Sequence, residues 1–166
     1  MRNPPPSPPD EVVARALERA LELACVAAAL GEVPVGAVVC GPDGRTLGEA
    51  HNEVESACDP TAHAERLALA RACAACGGTR LPEGSLLAVT LEPCAMCAGA
   101  IVLARPAFLV FGALDPKAGA CGSLRDLVRD PRLNHRVVLL ERRREAECGA
   151  LLTAFFQSRR VDPDRG

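Results

Sequence analysis

The stretch S85-L-L-A-V-T-L-E-P-C-A-M-C-A-G-A-I-V-L-A-R-P-A-F-L-V-F-G112 contains two apolar runs separated by a segment of helix-forming residues. Residues 85–91 and 106–112 have the length and composition of buried strands, and residues 94–104 have those of a helix. A strand, a helix and a second strand in this order favour parallel pairing of the strands, with the helix packed on one face of the sheet.

The rest of the chain continues this alternation. Further helices are predicted at residues 10–30, 60–76, 124–129 and 143–160. Asp10 is the expected N-cap of the first of these. Further strands are predicted at 33–40, 46–52 and 136–140, with the turn G41-P-D-G44 joining the first two into a hairpin. Strands interleaved with helices of this length predict an α/β fold in which helices cover both faces of a sheet that is at least partly parallel.

The composition describes an aliphatic core and a weakly acidic protein. Apolar residues make up 49% of the 166 residues, yet the chain has four Phe and neither Tyr nor Trp. The formal net charge is -2 and Lys117 is the single lysine, so no overall positive field indicates a nucleic-acid partner. An RNA partner would need a local basic patch.

The termini and the hydropathy suggest one cytoplasmic domain. We expect a disordered Pro-rich tail at residues 1–10, a single domain at 11–160 and a short tail at 161–166. The first residues lack the apolar core of a secretory signal. The most apolar span, residues 24–40, is interrupted by Gly31, Glu32 and Pro34, so we predict no membrane-spanning segment and no membrane partner.

Two segments place metal-ligating residues at helix starts. In D59-P-T-A-H-A-E65, Asp59 is the expected N-cap, which puts His63 and Glu65 in the opening turns. Cys94 and Cys97 are spaced i, i+3 at the start of the next helix, where the helix dipole favours thiolates. One histidine and two cysteines leave a fourth position for water, the arrangement of a catalytic zinc, so we predict one zinc ion per chain.

A structural zinc ribbon is the alternative use of these cysteines. Cys73 and Cys76 precede Cys94 and Cys97 by a spacing that fits a four-cysteine site, which would make the protein a binding module. The end of an Ala-rich helix disfavours thiolates at the first pair, because the dipole is negative there. We instead expect a set of core thiols: Cys25, Cys40, Cys73, Cys76 and Cys148.

The segments H63-A-E65 and P93-C-A-M-C97 resemble the signature of zinc-dependent nucleobase deaminases. This resemblance implies that a zinc-activated hydroxide attacks the base and that Glu65 acts as the proton shuttle. Glu65 would take a proton from the water, deliver it to the ring nitrogen and protonate the departing amine, so that ammonia is released.

Over residues 11–160 the chain resembles the bacterial tRNA-specific adenosine deaminases, which convert wobble adenosine to inosine and belong to the zinc-dependent cytidine and deoxycytidylate deaminase superfamily. The matching segments include E32-V-P-V-G-A37, D59-P-T-A-H-A-E65, V89-T-L-E-P-C-A-M-C-A-G-A100, V110-F-G-A113 and N134-H-R-V137. The resemblance implies a three-layer, cytidine-deaminase-like α/β/α fold around a five-stranded mixed sheet. It also implies a homodimer whose interface helps to form each active site, and a tRNA anticodon stem-loop, that of an arginine tRNA, as substrate.

The same resemblance assigns substrate contacts by position. Asn52 matches the residue that hydrogen-bonds the flipped base, and an amide offers both a donor and an acceptor to a base edge. The positions matching those that hold anticodon nucleotides are Val33, Asp115, Lys117, Phe156 and Arg160. Arg159 and Arg160 together would form the local phosphate patch. The ordinary alternatives are that Asn52 ends a strand, that the Phe side chains are core and that the Arg pair is a solvated helix end.

Two other functions share parts of this pattern. A deaminase of a free base or nucleoside, such as guanine or cytosine, would have the same zinc motif and fold class. A non-enzymatic zinc or RNA-binding module would keep the metal ligands but have no use for Glu65.

Overall fold

A computed structural model describes residues 5–160. The helices are α1 (Asp10–Ala29), α2 (Val54–Ala57), α3 (Ala64–Ala75), α4 (Ala95–Ala104) and α5 (Glu145–Arg160). The strands are β1 (Gly36–Cys40), β2 (Thr46–His51), β3 (Leu86–Leu91), β4 (Phe108–Ala113) and β5 (Val138–Leu139). None of the helices in residues 5–160 combines the length and apolar character that a membrane span needs.

The five strands form one mixed sheet in the order β2-β1-β3-β4-β5. β1 is antiparallel to both of its neighbours, whereas β3, β4 and β5 run parallel to one another. It follows that β2, β3 and β4 all point the same way and that their carboxyl ends share one edge of the sheet. β1 begins at that same edge.

Side chains alternate between two apolar layers along the central strands. Val38, Phe108 and Val110 face α1, and Val39, Val89 and Leu109 face the layer of α3 and α4. α5 packs on β4 and touches α1, so it lies on the α1 face. The expected three-layer α/β/α fold around a five-stranded mixed sheet is therefore confirmed.

Helix α3 approaches the sheet closely because β2 has a glycine at the crossing. A Cβ atom on Gly48 would lie 2.5 Å from the Ala72 nitrogen and 2.6 Å from the Ala68 carbonyl oxygen. A larger residue there would push α3 away from β2. Since α3 begins beside the predicted metal ligand His63, this contact helps to place the site.

Several sequence predictions differ from the structure. The segment 124–129 forms turns and an isolated bridge instead of a helix, and the predicted strand 136–140 shortens to Val138–Leu139. Asp10 is the first residue of α1 and does not cap it, since the N-cap is Pro9. Cys40 and Cys148 are buried as predicted and Cys73 is half-buried, but Cys25 and Cys76 are exposed and are not core thiols.

The expected termini of the domain are only partly covered. Residues 5–9 precede α1 without forming helix or strand. The remainder of the predicted N-terminal tail, residues 1–4, and the predicted C-terminal tail, residues 161–166, lie outside the described residues.

Candidate metal centre and active-site cavity

The predicted functional residues follow the strands that end at the common edge of the sheet. Asn52 comes directly after β2, Cys94 follows the end of β3, and Asp115 follows the end of β4. Val33 precedes β1, which begins at this edge. The carboxyl ends of parallel strands are where α/β proteins commonly bind ligands, so the topology alone gathers these residues.

His63, Cys94 and Cys97 form a compact group. The His63 Nδ1 atom lies 3.6 Å from the Cys94 Sγ atom and 3.6 Å from the Cys97 Sγ atom. His63 is the N-cap of α3 and Cys94 is the N-cap of α4. Two helix N-termini therefore converge on one point, as the sequence predicted.

The start of α3 differs from the predicted one. The helix begins at Ala64, and Asp59 does not cap it. The Asp59 carboxylate instead accepts bonds from the Thr61 N–H at 2.8 Å and the Thr61 hydroxyl at 2.6 Å, and pairs with Arg66 at 3.0 Å. Such local bonding of an Asp side chain competes with helix formation, and here it closes a turn that presents His63.

The spacing of the three ligand atoms fits a tetrahedral metal ion. With a zinc–sulfur bond of about 2.3 Å and a zinc–nitrogen bond of about 2.0 to 2.1 Å, tetrahedral sulfur and nitrogen ligands lie about 3.6 Å apart. The ligand atoms all lie within 4.8 Å of one another. Across residues 5–160 these three side chains are the one such group of His, Cys, Asp and Glu residues, so Cys73 and Cys76 do not complete a ribbon.

The ionisation of the two thiols also favours a cation. Hydrogen bonds with Cys97 and His63 lower the pKa of Cys94 to about 3. The bonded Cys94 sulfur and burial raise the pKa of Cys97, because a second negative charge so close is unfavourable. A divalent cation between the sulfurs removes this conflict, which makes the donor set suitable for zinc.

Glu65 lies in the first turn of α3 and faces the same cavity as His63 and Cys94. Its side chain is buried, with the residue only 4% exposed, and burial raises the pKa of its carboxyl group. The cavity has a volume of about 280 Å³, enough for a single base. Its other lining residues include Val33, Val35, Asn52, Leu91, Asp115, Ala118 and Arg159.

Asn52 is held by a buried glutamate. Its Nδ2 group donates to the Glu32 Oε2 atom at 3.3 Å. Glu32 also accepts the N–H groups of Glu55 at 3.1 Å and Ser56 at 2.7 Å. Burial raises the pKa of Glu32, but these donors outweigh burial and hold the pKa below its usual value. A carboxylate in this state can only accept, so it fixes the orientation of the Asn52 amide.

A second cavity, of about 600 Å³, adjoins the first. The two share Val33, Leu91 and Asp115 in their walls. The second cavity adds the remaining predicted contact residues, which are Lys117, Phe156 and Arg160. The structure thus brings the sequence-predicted site residues to one continuous surface, apart from Cys97, which is buried behind it with its sulfur atom against His63.

The paired residues of α5 have different environments. Phe155 is 9% exposed and packs in the interior, whereas Phe156 is 46% exposed and lines the second cavity. The Arg159 guanidinium lies 4.6 Å from the centroid of the Phe155 ring and donates to the Gly31 carbonyl oxygen. The core interpretation therefore applies to Phe155, and Arg159 has partners within its own chain.

Sequence reasoning gave no role to Glu32 and Glu92, which both line the first cavity. Each is 1% exposed. Both glutamates are flanked by apolar residues in the sequence. That position could have predicted a buried carboxylate, which needs hydrogen-bond donors from the protein.

The chain matches known proteins over most of its length. The sequence model of the cytidine and deoxycytidylate deaminase zinc-binding region matches residues 10–113. The tRNA-specific adenosine deaminase of Bacillus subtilis is 46% identical over 144 residues, which are 87% of this chain and 88% of that protein. The tRNA-specific adenosine deaminase of Haemophilus influenzae is 46% identical over 143 residues, which are 86% of this chain and 82% of that protein.

Solved structures agree with these relatives. A structure from a study of A-to-I editing by tRNA:A34 deaminases superposes with a TM-score of 0.79 at 40% identity, covering 84% of this chain and 99% of that one. A guanine deaminase from Bacillus subtilis superposes with a TM-score of 0.59 at 31% identity, covering 92% of this chain and 96% of that one. Together with the group formed by His63, Cys94 and Cys97 and the buried Glu65, these matches show that the chain belongs to the zinc-binding cytidine and deoxycytidylate deaminase family and, within it, to the tRNA-specific adenosine deaminases.

Proposed function

We propose that this protein is a zinc-dependent deaminase that converts the wobble adenosine of a tRNA anticodon loop to inosine and releases ammonia. The observation that carries the proposal is the position of Glu65, a buried carboxyl group in the cavity that holds His63 and Cys94. The 46% identity to tRNA-specific adenosine deaminases supports tRNA as the substrate class. Similarity to this family also supports an arginine tRNA as the substrate and the cytoplasm as the location.

His63, Cys94 and Cys97 would hold the metal ion. Zinc in such a site supplies a bound water with a pKa near ~7 as the nucleophile. Glu65 accepts a proton from the attacking water and delivers it to the ring nitrogen of adenine. It then takes the second proton of the same water from the hydroxyl group now bonded to the purine carbon and passes it to the amino group, so that the carbon–nitrogen bond breaks, a carbonyl remains and ammonia leaves. Asn52, oriented by Glu32, offers hydrogen bonds to the edge of the bound base.

The second cavity favours a polynucleotide over a free base. A base alone is accommodated by the first cavity, so a free-base deaminase has no use for the adjoining surface. Lys117 and Arg160 can contact phosphates, and the exposed Phe156 ring can stack on a base. These residues suit nucleotides that flank an extruded base, which supports their assignment as substrate contacts along with Val33, Asp115 and Arg159.

We also infer a homodimer formed through α4. The residues of this helix that are not fully buried are Ala95, Met96, Gly99, Ala100 and Leu103, and α4 has no charged residue. Leu103 is 75% exposed, which is costly for a large apolar side chain in a monomer. Because Cys94 is the N-cap of α4, a partner on this face would lie beside the proposed metal site.

The metal assignment predicts a selective loss of zinc. We expect protein purified without chelator to contain about one zinc ion per chain by mass spectrometry of the metal. Replacing Cys94 and Cys97 together by Ala should remove it. The matched double variant Cys73→Ala, Cys76→Ala should keep its zinc. Loss of zinc from that variant would instead support a structural zinc ribbon held by four cysteines.

The catalytic assignment predicts inosine in a minimal hairpin. An anticodon stem-loop of arginine tRNA with a wobble adenosine should be deaminated, while free adenosine, guanine and cytosine should not. Glu65→Ala should lower the rate by about 10²- to 10⁴-fold because it removes the proton shuttle. Zinc content and hairpin binding should persist in that variant. Rapid turnover of guanine or cytosine with no reaction on the hairpin would instead identify a free-base deaminase, and an unaltered rate in Glu65→Ala would contradict the mechanism.

The phosphate assignment predicts a change in salt dependence. Arg160→Gln should weaken hairpin binding and reduce the slope of log affinity against log salt by about 0.7, since one contact no longer releases a counterion. The control is Arg45→Gln, because Arg45 is 86% exposed in the β1–β2 turn, at the opposite edge of the sheet. Equal slopes in the Arg160 and Arg45 variants would exclude a phosphate contact at Arg160.

The dimer assignment predicts a change in mass. The native protein should have twice the chain mass by light scattering, and Leu103→Glu should convert it to a monomer. Leu30→Glu is the matched control, because Leu30 is 63% exposed on a different surface, just after α1. A monomeric native protein, or a Leu103→Glu variant that stays dimeric, would overturn the assignment.

A further inference from the structure

Glu92 occupies the junction between the sheet and the metal site. It directly follows Leu91, the last residue of β3, and precedes the Pro93-Cys94 pair that opens α4. The residue is 1% exposed. A buried carboxylate at such a point has to be matched by donors, because an unsatisfied buried charge is strongly destabilising.

The donors all come from one loop, residues 115–123. The Oε2 atom accepts the Asp115 N–H at 3.0 Å, and the Oε1 atom accepts the N–H groups of Cys121 at 3.1 Å and Ser123 at 2.9 Å. The Ser123 hydroxyl also donates to Oε2. Both oxygens are thus bonded to the start and the end of the loop, which folds around the carboxylate.

The middle of the loop is closely packed against the same group. A Cβ atom on Gly119 would lie 2.4 Å from the Glu92 carboxylate and 2.5 Å from the Asp115 carbonyl oxygen. Gly119 therefore has no room for a side chain. The loop is also tied to the metal-ligand segment, since the Ala120 N–H donates to the Pro93 carbonyl at 2.8 Å and Gly119 pairs with Cys94.

This loop forms the wall between the two cavities. Asp115 lines both of them, Ala118 lines the first, and Pro116 and Lys117 line the second. The carboxylate of Glu92 thus determines where the substrate wall stands relative to the metal ligands. Its hydrogen bonds come from three backbone N–H groups and the Ser123 hydroxyl of the loop, so its effect on the substrate passes through the loop.

We propose that Glu92 is a positioning residue whose buried carboxylate holds residues 115–123 as the wall that contacts the nucleotides beside the target base. The proposal rests on the proposed function, because that function gives the second cavity its ligand. Glutamine has nearly the same shape as glutamate but replaces one acceptor oxygen by a donor, which would face backbone N–H groups. Glu92→Gln should therefore weaken the hydrogen bonds that hold the loop without leaving a cavity where the Glu92 side chain lies.

Amide hydrogen exchange tests the positioning role directly. In Glu92→Gln the amides of Asp115, Cys121 and Ser123 should exchange about tenfold faster or more, while those of α1 and α3 stay protected. The matched control is Glu32→Gln, in which the Glu55 and Ser56 amides should exchange faster and the 115–123 loop should not change. Unchanged loop exchange in Glu92→Gln would overturn the proposal.

Kinetics on the anticodon hairpin provide the second readout. Zinc-loaded Glu92→Gln should show a KM for the hairpin raised about tenfold, with kcat within about threefold of the native value. The reason is that contacts to the flanking nucleotides stabilise the bound substrate and the transition state equally, so their loss weakens both to the same extent. A loss confined to kcat would contradict the proposal. If Glu92→Gln does not fold, Ser123→Ala removes one donor to the same carboxylate and should raise loop exchange and KM in the same direction.

These two readouts separate this proposal from the proposed function. If the native protein leaves the hairpin unreacted, the tRNA assignment fails. Loop exchange in Glu92→Gln still decides whether Glu92 holds residues 115–123.

Discussion

Buried acidic groups at one edge of an aliphatic core are the constraint around which this site is built. Glu32, Glu65 and Glu92 are each nearly inaccessible, and the sulfurs of Cys94 and Cys97 lie among them. Within residues 5–160 the buried polar set includes no lysine or arginine. Such charges are tolerated only when they are bonded or coordinated, so backbone N–H groups take the place of cationic side chains, as would a metal ion held by His63, Cys94 and Cys97.

Each buried carboxylate satisfies this constraint in a different way. Glu32 accepts N–H groups at the start of α2 and fixes Asn52, while Glu92 accepts N–H groups of the 115–123 loop. Glu65 is left facing His63 and Cys94, where the proposed reaction needs a proton-transfer group. Two carboxylates therefore shape the opposite walls of the cavity, and the third one is available for chemistry.

The sheet topology makes this concentration possible. Because β2, β3 and β4 end at the same edge, segments far apart in sequence meet there without long connections. The helix N-termini of α3 and α4 add positive dipole ends, which favour thiolates and anionic groups. The adjoining cavity lies over the carboxyl end of β4 and α5, so a base and its neighbours can be bound by different elements.

Local patterns in the sequence were sufficient to predict the layers and the grouping of His63, Cys94 and Cys97. Strand-helix-strand alternation predicted helices on both faces of a partly parallel sheet, and the i, i+3 cysteines with His63 predicted the group that could hold a metal ion. The predicted helix at 124–129 and the predicted start of α3 were both wrong. Side-chain and loop hydrogen bonds, such as those that Asp59 accepts, override local helix propensity there.

Long-range partners could not be predicted in the same way. The donors to Glu92 lie 23 to 31 residues away, and the Arg159 bond to Gly31 spans 128 residues. The pattern of a single segment contains no information about which distant loop will fold onto it. The buried glutamates could be recognised as unusual, but their partners required the tertiary structure.

The most direct measurement of the central claim is the zinc K-edge absorption spectrum of the purified protein. Coordination by Cys94, Cys97 and His63 with an open position predicts two sulfur atoms at about 2.3 Å and two light atoms at about 2.0 to 2.2 Å, one of them from solvent. A shell of four sulfur atoms, or a closed shell without a solvent ligand, would contradict a catalytic zinc at this edge of the sheet.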